Sequence, residues 1–367
     1  MKMVTIVGAR PQFIKAAAVS RAIVAHNRSH SGRAIREVIV HSGQHHDVNM
    51  SEIFFREMEI PAPDHALSIH GLGHGAMTGR MLERIESVLL EERPDLVLVY
   101  GDTNTTLAGA LAAVKLHLPV AHVEAGLRSF NRMMPEEINR ILTDHVATWL
   151  LCPTPTAVRH LHDEGLHLRA GMVIRHCGDV MFDTIRHFAP HARDRAAHLR
   201  QGVGDGYRLC TLHRAELTDN DERLRQVFDV LLDLASSRPM LMPLHPRTRN
   251  ALQRIGLNWE GSGLRVIEPV GYLEMIDLLD HAGVVITDSG GLQKEAFFMG
   301  KGCVTVRAET EWTELVEIGC NQVTGFDAHT ICQAVVAMQD LPVDPSSCDI
   351  YGHGDASERI LKTLLGE

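Results

Sequence analysis

At 367 residues, 45% hydrophobic and 22% charged, the chain has an ordinary globular make-up. It exceeds the roughly 250–300 residues at which one hydrophobic core stops growing, so two domains are expected. A formal net charge of −10, from 36 Lys and Arg against 46 Asp and Glu, excludes general nucleic-acid binding, which needs clustered cations.

In chain order, strand-like runs alternate with helix-length amphipathic segments. Residues 3–7 read as a strand and 11–26 as a helix; 37–41 is a second strand, followed by helices near 50–58 and 76–90. The runs 95–100 (DLVLVY) and 120–123 read as short buried strands, with helices after them at 105–117 and 136–146; strands 149–152 and 172–176 close the series. The pattern restarts with strand 208–212, helix 220–235 and strand 240–244. Strands 265–267, 284–287 and 304–306 follow, with helices near 272–280 and 291–299, and a last helix at 356–365. Short β-branched runs interleaved with helices predict parallel sheets covered on both faces, and hence an α/β protein of two doubly wound, Rossmann-like domains. The division falls near residue 175, giving domains 1–174 and 175–351, with 352–367 packing back on the first. In such folds ligands bind beyond the C-terminal strand ends.

Seven cysteines, Cys152, Cys177, Cys210, Cys303, Cys320, Cys332 and Cys348, are odd in number and include no C-x-x-C. They read as reduced, buried, small hydrophobes, which implies a cytoplasmic protein. The run 3–7 is too short for the apolar region of a signal peptide, and no run approaches the ~20 apolar residues of a membrane helix, so a soluble chain is expected. Twenty-three histidines show no H-E-x-x-H or other tight ligand spacing, and no metal is expected. The run 71–76 fits G-x-G-x-x-A, but no strand precedes it and no acidic residue follows at a strand end, which argues against a dinucleotide cofactor.

Chemistry-bearing residues gather at the strand ends. Gly8 to Lys15 (GARPQFIK) puts a Gly at the first strand end, a Pro in the first helical turn, and Arg10 and Lys15 a turn apart. That is an anion site or an ordinary turn with solvated cations. Ser289, Gly290 and Gly291 follow strand 284–287 and open a helix, a setting for a diphosphate, with Glu295 a turn further on to accept from a ribose diol. Asp102, Glu124 and Glu136 lie on neighbouring strand-end loops. Asp102 reads equally as a helix N-cap and Glu136 as a favourable charge at a helix start. Three carboxylates on one sheet edge nevertheless suit general acid–base work, because like charges held together resist ionisation. His213-Arg214-x-Glu216 and His245-Pro246-Arg247 also sit at strand ends.

Taken together, GARPQFIK (8–15), GQHHD (43–47), YGDTNTTLAG (100–109), HVEAGLRS (122–129), PEEINRILTD (135–144), LHRAEL (212–217), TDSGGLQKEA (287–296) and YGHGDASERI (351–360) resemble the non-hydrolysing UDP-N-acetylglucosamine 2-epimerases over nearly the whole chain. The resemblance implies a glycosyltransferase-B type fold with an interdomain cleft, a UDP-sugar substrate, no cofactor and a homodimer. It places acid–base roles on Asp102, Glu124 and Glu136, and associates His213 with the diphosphate and catalysis. Arg10 and Lys15 match the entrance motif, and Ser289, Gly290, Gly291 and Glu295 the UDP-binding turn. The implied reaction eliminates UDP to a 2-acetamidoglucal and adds it back after the C2 proton returns on the other face; which carboxylate removes that proton stays open.

Some residues depart from the family pattern. Gln12 stands where the entrance motif often has an acid, Trp312 where the family has an arginine, and Asp47 where a Gln serves an allosteric site that Gln44 and His45 partly match. With MSEIFF (50–55) and HGAMTGRML (74–82), these features look closer to a subgroup acting on UDP-2,3-diacetamido-2,3-dideoxy-D-glucuronate, the alternative being UDP-N-acetylglucosamine. Arg80, Arg132 and Arg307 are the candidates to meet a C6 carboxylate. A glycosyltransferase of the same architecture is the distant alternative.

Overall fold

The computed structural model describes residues 1–29, 34–44, 57–347 and 349–367. His45, Asp47, the MSEIFF segment and most of the helix read near 50–58 lie outside the described residues. The chain forms two compact units, Met1–Thr184 with Cys348–Glu367, and Ile185–Ser347. The boundary falls inside the helix Val180–Ala192 rather than near residue 175.

The first unit holds a seven-stranded sheet. Its strands are β1 (Lys2–Val7), β2 (Arg36–His41), β3 (His65–Ala66), β4 (Leu96–Tyr100), β5 (Val120–Val123), β6 (Trp149–Cys152) and β7 (Val173–His176). The order is β3-β2-β1-β4-β5-β6-β7, with every pairing parallel. The chain winds outward from β1 to β3, then returns to lay β4 on the other side of β1. The gap between β1 and β4 is therefore the topological switch point. Ile6 faces Val40 on one side and Val99 on the other, so the loops leaving β1 and β4 emerge at the same level.

The second unit repeats the plan with β8 (Tyr207–Thr211), β9 (Met240–Pro243), β10 (Leu264–Ile267), β11 (Ala282–Thr287), β12 (Cys303–Thr305) and β13 (Asn321–Val323). The order is β10-β9-β8-β11-β12-β13, all parallel, with the switch between β8 and β11. Alternate residues feed two cores. Cys210, Met240, Met242, Val284, Ile286 and Val304 pack on one face with Leu224, Phe228, Leu231 and Val335. Leu209, Leu241, Val285 and Cys303 pack on the other with Leu278, Leu279, Leu292 and Ala296. Two covered faces explain why these strands read as unbroken apolar runs.

The C-terminal helix Ala356–Leu365 packs against the first helix, Arg10–Ser29, burying Ile360 and Leu361. Asp183 receives its start, accepting from the amides of Ala356 (3.0 Å) and Ser357 (2.7 Å) and from the Ser357 hydroxyl (2.6 Å). A carboxylate at a helix N-terminus meets the positive end of its dipole. The cysteine reading needs one correction. Cys152, Cys177, Cys210 and Cys303 are buried, whereas Cys320 is half-buried and Cys332 is exposed, because Cys332 falls on the outer face of the helix Ala328–Met338. Cys348 lies outside the described residues. Among the described residues no helix is long and apolar enough to cross a membrane.

Candidate active site

At the switch point of the first unit, Gln12 ties the two loops together. Its Oε1 accepts from the amides of Gly8 (2.8 Å) and Ala9 (3.1 Å), and its Nε2 donates to the Tyr100 carbonyl (2.8 Å) and to the hydroxyls of Thr103 (3.0 Å) and Thr106 (2.9 Å). The residue that departs from the entrance motif is thus a buried tie between β1 and β4, and a carboxylate could not make its donation to Tyr100. Arg10 is half-buried at the start of the first helix. Lys15 is not a solvated cation. Buried within that helix, it pairs through Nζ with Oε2 of Glu124, itself buried just past β5.

Two backbone conformations make room for this pair. Glu124 sits at φ 71°, in the left-handed region that a side chain adopts only under local constraint. Gly101, at φ 60°, leaves space where a Cβ would lie 3.2 Å from Glu124 Oε2 and 3.3 Å from Lys15 Nζ.

Asp102 follows directly. It is not the N-cap of the next helix, since Thr103 holds that position in a reciprocal capping box with Thr106. Its carboxylate accepts from Arg140 Nη2 (2.6 Å), and its carbonyl accepts from Asn139 Nδ2 (2.9 Å). Burial pushes the Asp102 carboxyl up; Arg140 and Lys15 oppose the rise, while the charges of Glu124 and Glu136 add to it. The other two carboxylates named from sequence, Glu124 and Glu136, therefore both lie near enough to act on Asp102. Glu136 is exposed in the first turn of the helix Pro135–Val146. Its neighbour Glu137 is buried and structural, accepting from the Ser129 amide (2.9 Å) and hydroxyl (3.0 Å) and the Phe130 amide (3.0 Å).

Sequence reasoning missed Asn139, Arg140 and Asp144. A signal exists: this helix is amphipathic in reverse, burying Glu137, Asn139, Arg140, Thr143 and Asp144 while Ile138 and Leu142 are exposed. A buried polar face requires partners, and here the partners are the strand-end loops.

In the second unit Thr287 lies opposite Thr211, which brings the turns after β8 and β11 level. Asp288, almost fully buried and also missed from sequence, joins them. Its Oδ2 accepts from the amides of His213 (2.8 Å) and Arg214 (2.8 Å), its carbonyl accepts from Arg214 Nε (2.8 Å), and its Oδ1 lies 3.1 Å from His213 Nδ1. The His213 side chain stays 39% exposed. His245 stands beside it, ring centroids 5.5 Å apart, with Nδ1 accepting from the Arg247 amide (3.1 Å). Partial burial, then the neighbouring His213 and Arg247, push the His245 imidazole below its ordinary value.

Ser289 is the N-cap residue of the helix Gly290–Phe298, yet its hydroxyl caps no amide. The start of that helix thus has no side-chain acceptor, the condition in which a helix N-terminus takes an anion. A Cβ at Gly290 would meet Glu311 Oε1, so a side chain there would displace that carboxylate. Burial alone would raise the Glu311 carboxyl, but Arg307 and Arg214 hold it below the usual range. Arg307, buried and bonded to Glu311 (2.9 Å), is engaged within the protein, whereas Arg80 and Arg132 are exposed. Gly291 is half-buried in the first turn, and Glu295 is buried one turn further along. Trp312, at the family's arginine position, covers the buried Lys294, whose ammonium lies 3.9 Å from the ring centroid.

Residues 27–365 match the family model described as UDP-N-acetylglucosamine 2-epimerase. The chain is 52% identical over 365 residues to the UDP-2,3-diacetamido-2,3-dideoxy-D-glucuronate 2-epimerase of Pseudomonas aeruginosa, covering 99% of each. It is 40% identical over 370 residues to the UDP-N-acetylglucosamine 2-epimerase of Methanocaldococcus jannaschii, again covering 99% of each. The crystal structure of the M. jannaschii UDP-GlcNAc 2-epimerase, in complex with UDP-GlcNAc and UDP, superposes with a TM-score of 0.88 at 39% identity over 100% of both chains.

Proposed function

The chain belongs to the UDP-N-acetylglucosamine 2-epimerase family, and on that premise we propose that it inverts C2 of UDP-2,3-diacetamido-2,3-dideoxy-D-glucuronate, from gluco to manno, without hydrolysis. A base takes the C2 proton, the C1–O bond breaks with its electron pair leaving on UDP, and a C1=C2 double bond remains in the glucal. Return of a proton to the opposite face of C2 and of UDP to C1 completes the inversion. Asp102, Glu124 and Glu136 exchange the proton, while Lys15 and Arg140 balance their charge. Ser289, Gly290 and Gly291 hold the diphosphate at the uncapped helix start, Glu295 accepts from the ribose, and His213, set by Asp288, faces the departing oxygen. Arg10 adds a cation for the leaving group. Cations and helix termini are the groups that stabilise a departing diphosphate.

The observation that carries the chemistry is the pairing of Glu124 with Lys15 and of Asp102 with Arg140 at adjacent strand ends, with Glu136 close enough to act on Asp102. The choice of sugar rests on the identity to the P. aeruginosa enzyme. A cytoplasmic homodimer serving surface-polysaccharide synthesis completes the proposal. The test is incubation with each of the two candidate UDP-sugars in D2O, followed at C1 and C2 by proton NMR. Deuterium should enter C2 of both product and recovered substrate. Turnover of UDP-N-acetylglucosamine alone would replace the sugar. Steady release of free sugar and UDP, or no exchange without an acceptor, would overturn the non-hydrolysing reading.

A further inference from the structure

Behind the two acidic turns of the first unit lies a buried ion chain that the proposed chemistry does not use. His122, on β5, is fully buried. Its Nε2 donates to the Gly101 carbonyl (2.7 Å) and its Nδ1 donates to Asp144 Oδ1 (2.7 Å). A carbonyl has no proton to give back. Asp144 is an ionised acceptor as well, its Oδ2 taking Arg128 Nη1 (2.7 Å) and the Gly126 amide (3.1 Å). Burial alone would raise Asp144, yet His122 and Arg128 hold it below the usual carboxylate range. The ring is thus held between acceptors on both sides.

The surrounding charges are closed. Arg128 forks onto Glu164 (2.6 and 2.8 Å), and His145 approaches that same carboxylate at 3.5 Å. Cys152 is a further titratable neighbour, whose thiol burial pushes well up. The Arg128 cation thus sits between two anions, with His122 and Asp144 fully buried. A buried pair of this kind is weak evidence of stabilisation, since apolar packing serves as well. Its value lies in what its two ends hold.

One end grips the Gly101 carbonyl, in the peptide that leads into Asp102. The other grips the Gly126 amide, which closes the turn opened by Glu124, where φ is 71° at Glu124 and 83° at Gly126. We propose that His122 and Asp144 are a positioning dyad, a buried hydrogen-bonded pair that sets the spacing of the Asp102 and Glu124 turns without touching substrate. The dyad's catalytic consequence rests on the function proposed above; its hydrogen bonds do not.

Two measurements test it. In the 15N-histidine-labelled full chain, one imidazole should show a ring N–H protected from solvent exchange, and that signal should vanish in His122→Gln. A wild type with no such protected ring N–H would overturn the dyad. In kinetics, a Gln amide reaches the Nε2 position and retains the donation to Gly101, whereas an Asn amide mimics Nδ1 and loses it. His122→Asn should lower kcat by ~10- to 100-fold, since a misplacement of about 1 Å at a reacting centre can cost ~100-fold. KM and UDP affinity should stay within about twofold, and His122→Gln, which keeps only the Gly101 end, should recover part of the loss. A merely structural histidine would instead lower both variants in step with their stability. If the wild type epimerised neither sugar, the functional reading would fall, while the NMR result would still decide the dyad.

Discussion

Replacing Lys15 with Met retains the apolar stem and removes the ammonium that meets Glu124. The side chains of Lys15 and Glu124 are 9% and 8% exposed, so solvent does little to screen the loss. Breaking a buried pair from one side typically costs about 3–5 kcal/mol. The stranded carboxylate can escape by taking a proton, and that caps the cost at about 1.4 kcal/mol for each pH unit above an ordinary glutamate value. The ceiling is then roughly 3.7 kcal/mol at pH 7 and about 1 kcal/mol at pH 5. The sign follows directly. Between the unfolded and the raised folded value the folded variant binds the extra proton, so its deficit grows as pH rises and shrinks as pH falls.

The double variant Lys15→Met with Glu124→Gln removes both charges and should lie within about 1 kcal/mol of wild type, leaving a coupling of ~2–3 kcal/mol. An exposed pair would couple by under about 1 kcal/mol. Because two units need not unfold together, the measurement is hydrogen exchange of peptides covering β4 and β5 at pH 5 to 8. A Lys15→Met deficit below about 1 kcal/mol at pH 7, or one unchanged with pH, would refute the reasoning.

Three further outcomes are expected. Glu136→Gln should bind UDP as wild type does and lose turnover, whereas Ser289→Trp should abolish UDP binding by filling the helix start; titration calorimetry with UDP separates them. Asp183→Ala strands two amides and a hydroxyl, which should cost ~1–3 kcal/mol and appear as lost exchange protection over the helix Ala356–Leu365. Burial pushes Cys177 to about 11 and Cys303 to about 12, and raises Cys152 and Cys210 well above the ordinary thiol value. At pH 7.5 iodoacetamide should therefore modify exposed Cys332 first and half-buried Cys320 slowly, with those four labelled only after denaturation, as read by peptide mass spectrometry.

Local pattern alone determined the two-sheet architecture, because a strand covered on both faces must be apolar at every position. It located most strands to within two residues and put most candidate site residues at or just beyond strand ends. It passed over β3 and β13, an edge pair of two residues and an edge strand holding Asn321 and Gln322, since such edges carry little apolar signal. The helix Val180–Ala192 was hidden by Pro190 near its end.

Tertiary structure alone decided the partners. Lys15 meets Glu124 across 109 residues, Gln12 meets Tyr100 across 88, and Asp288 meets His213 across 75. Each pairing follows from the order in which strands lie side by side in a sheet, and strand order is not written in any local period. Periodicity reports whether a side chain faces inward; only the closed sheet decides which charge it finds there.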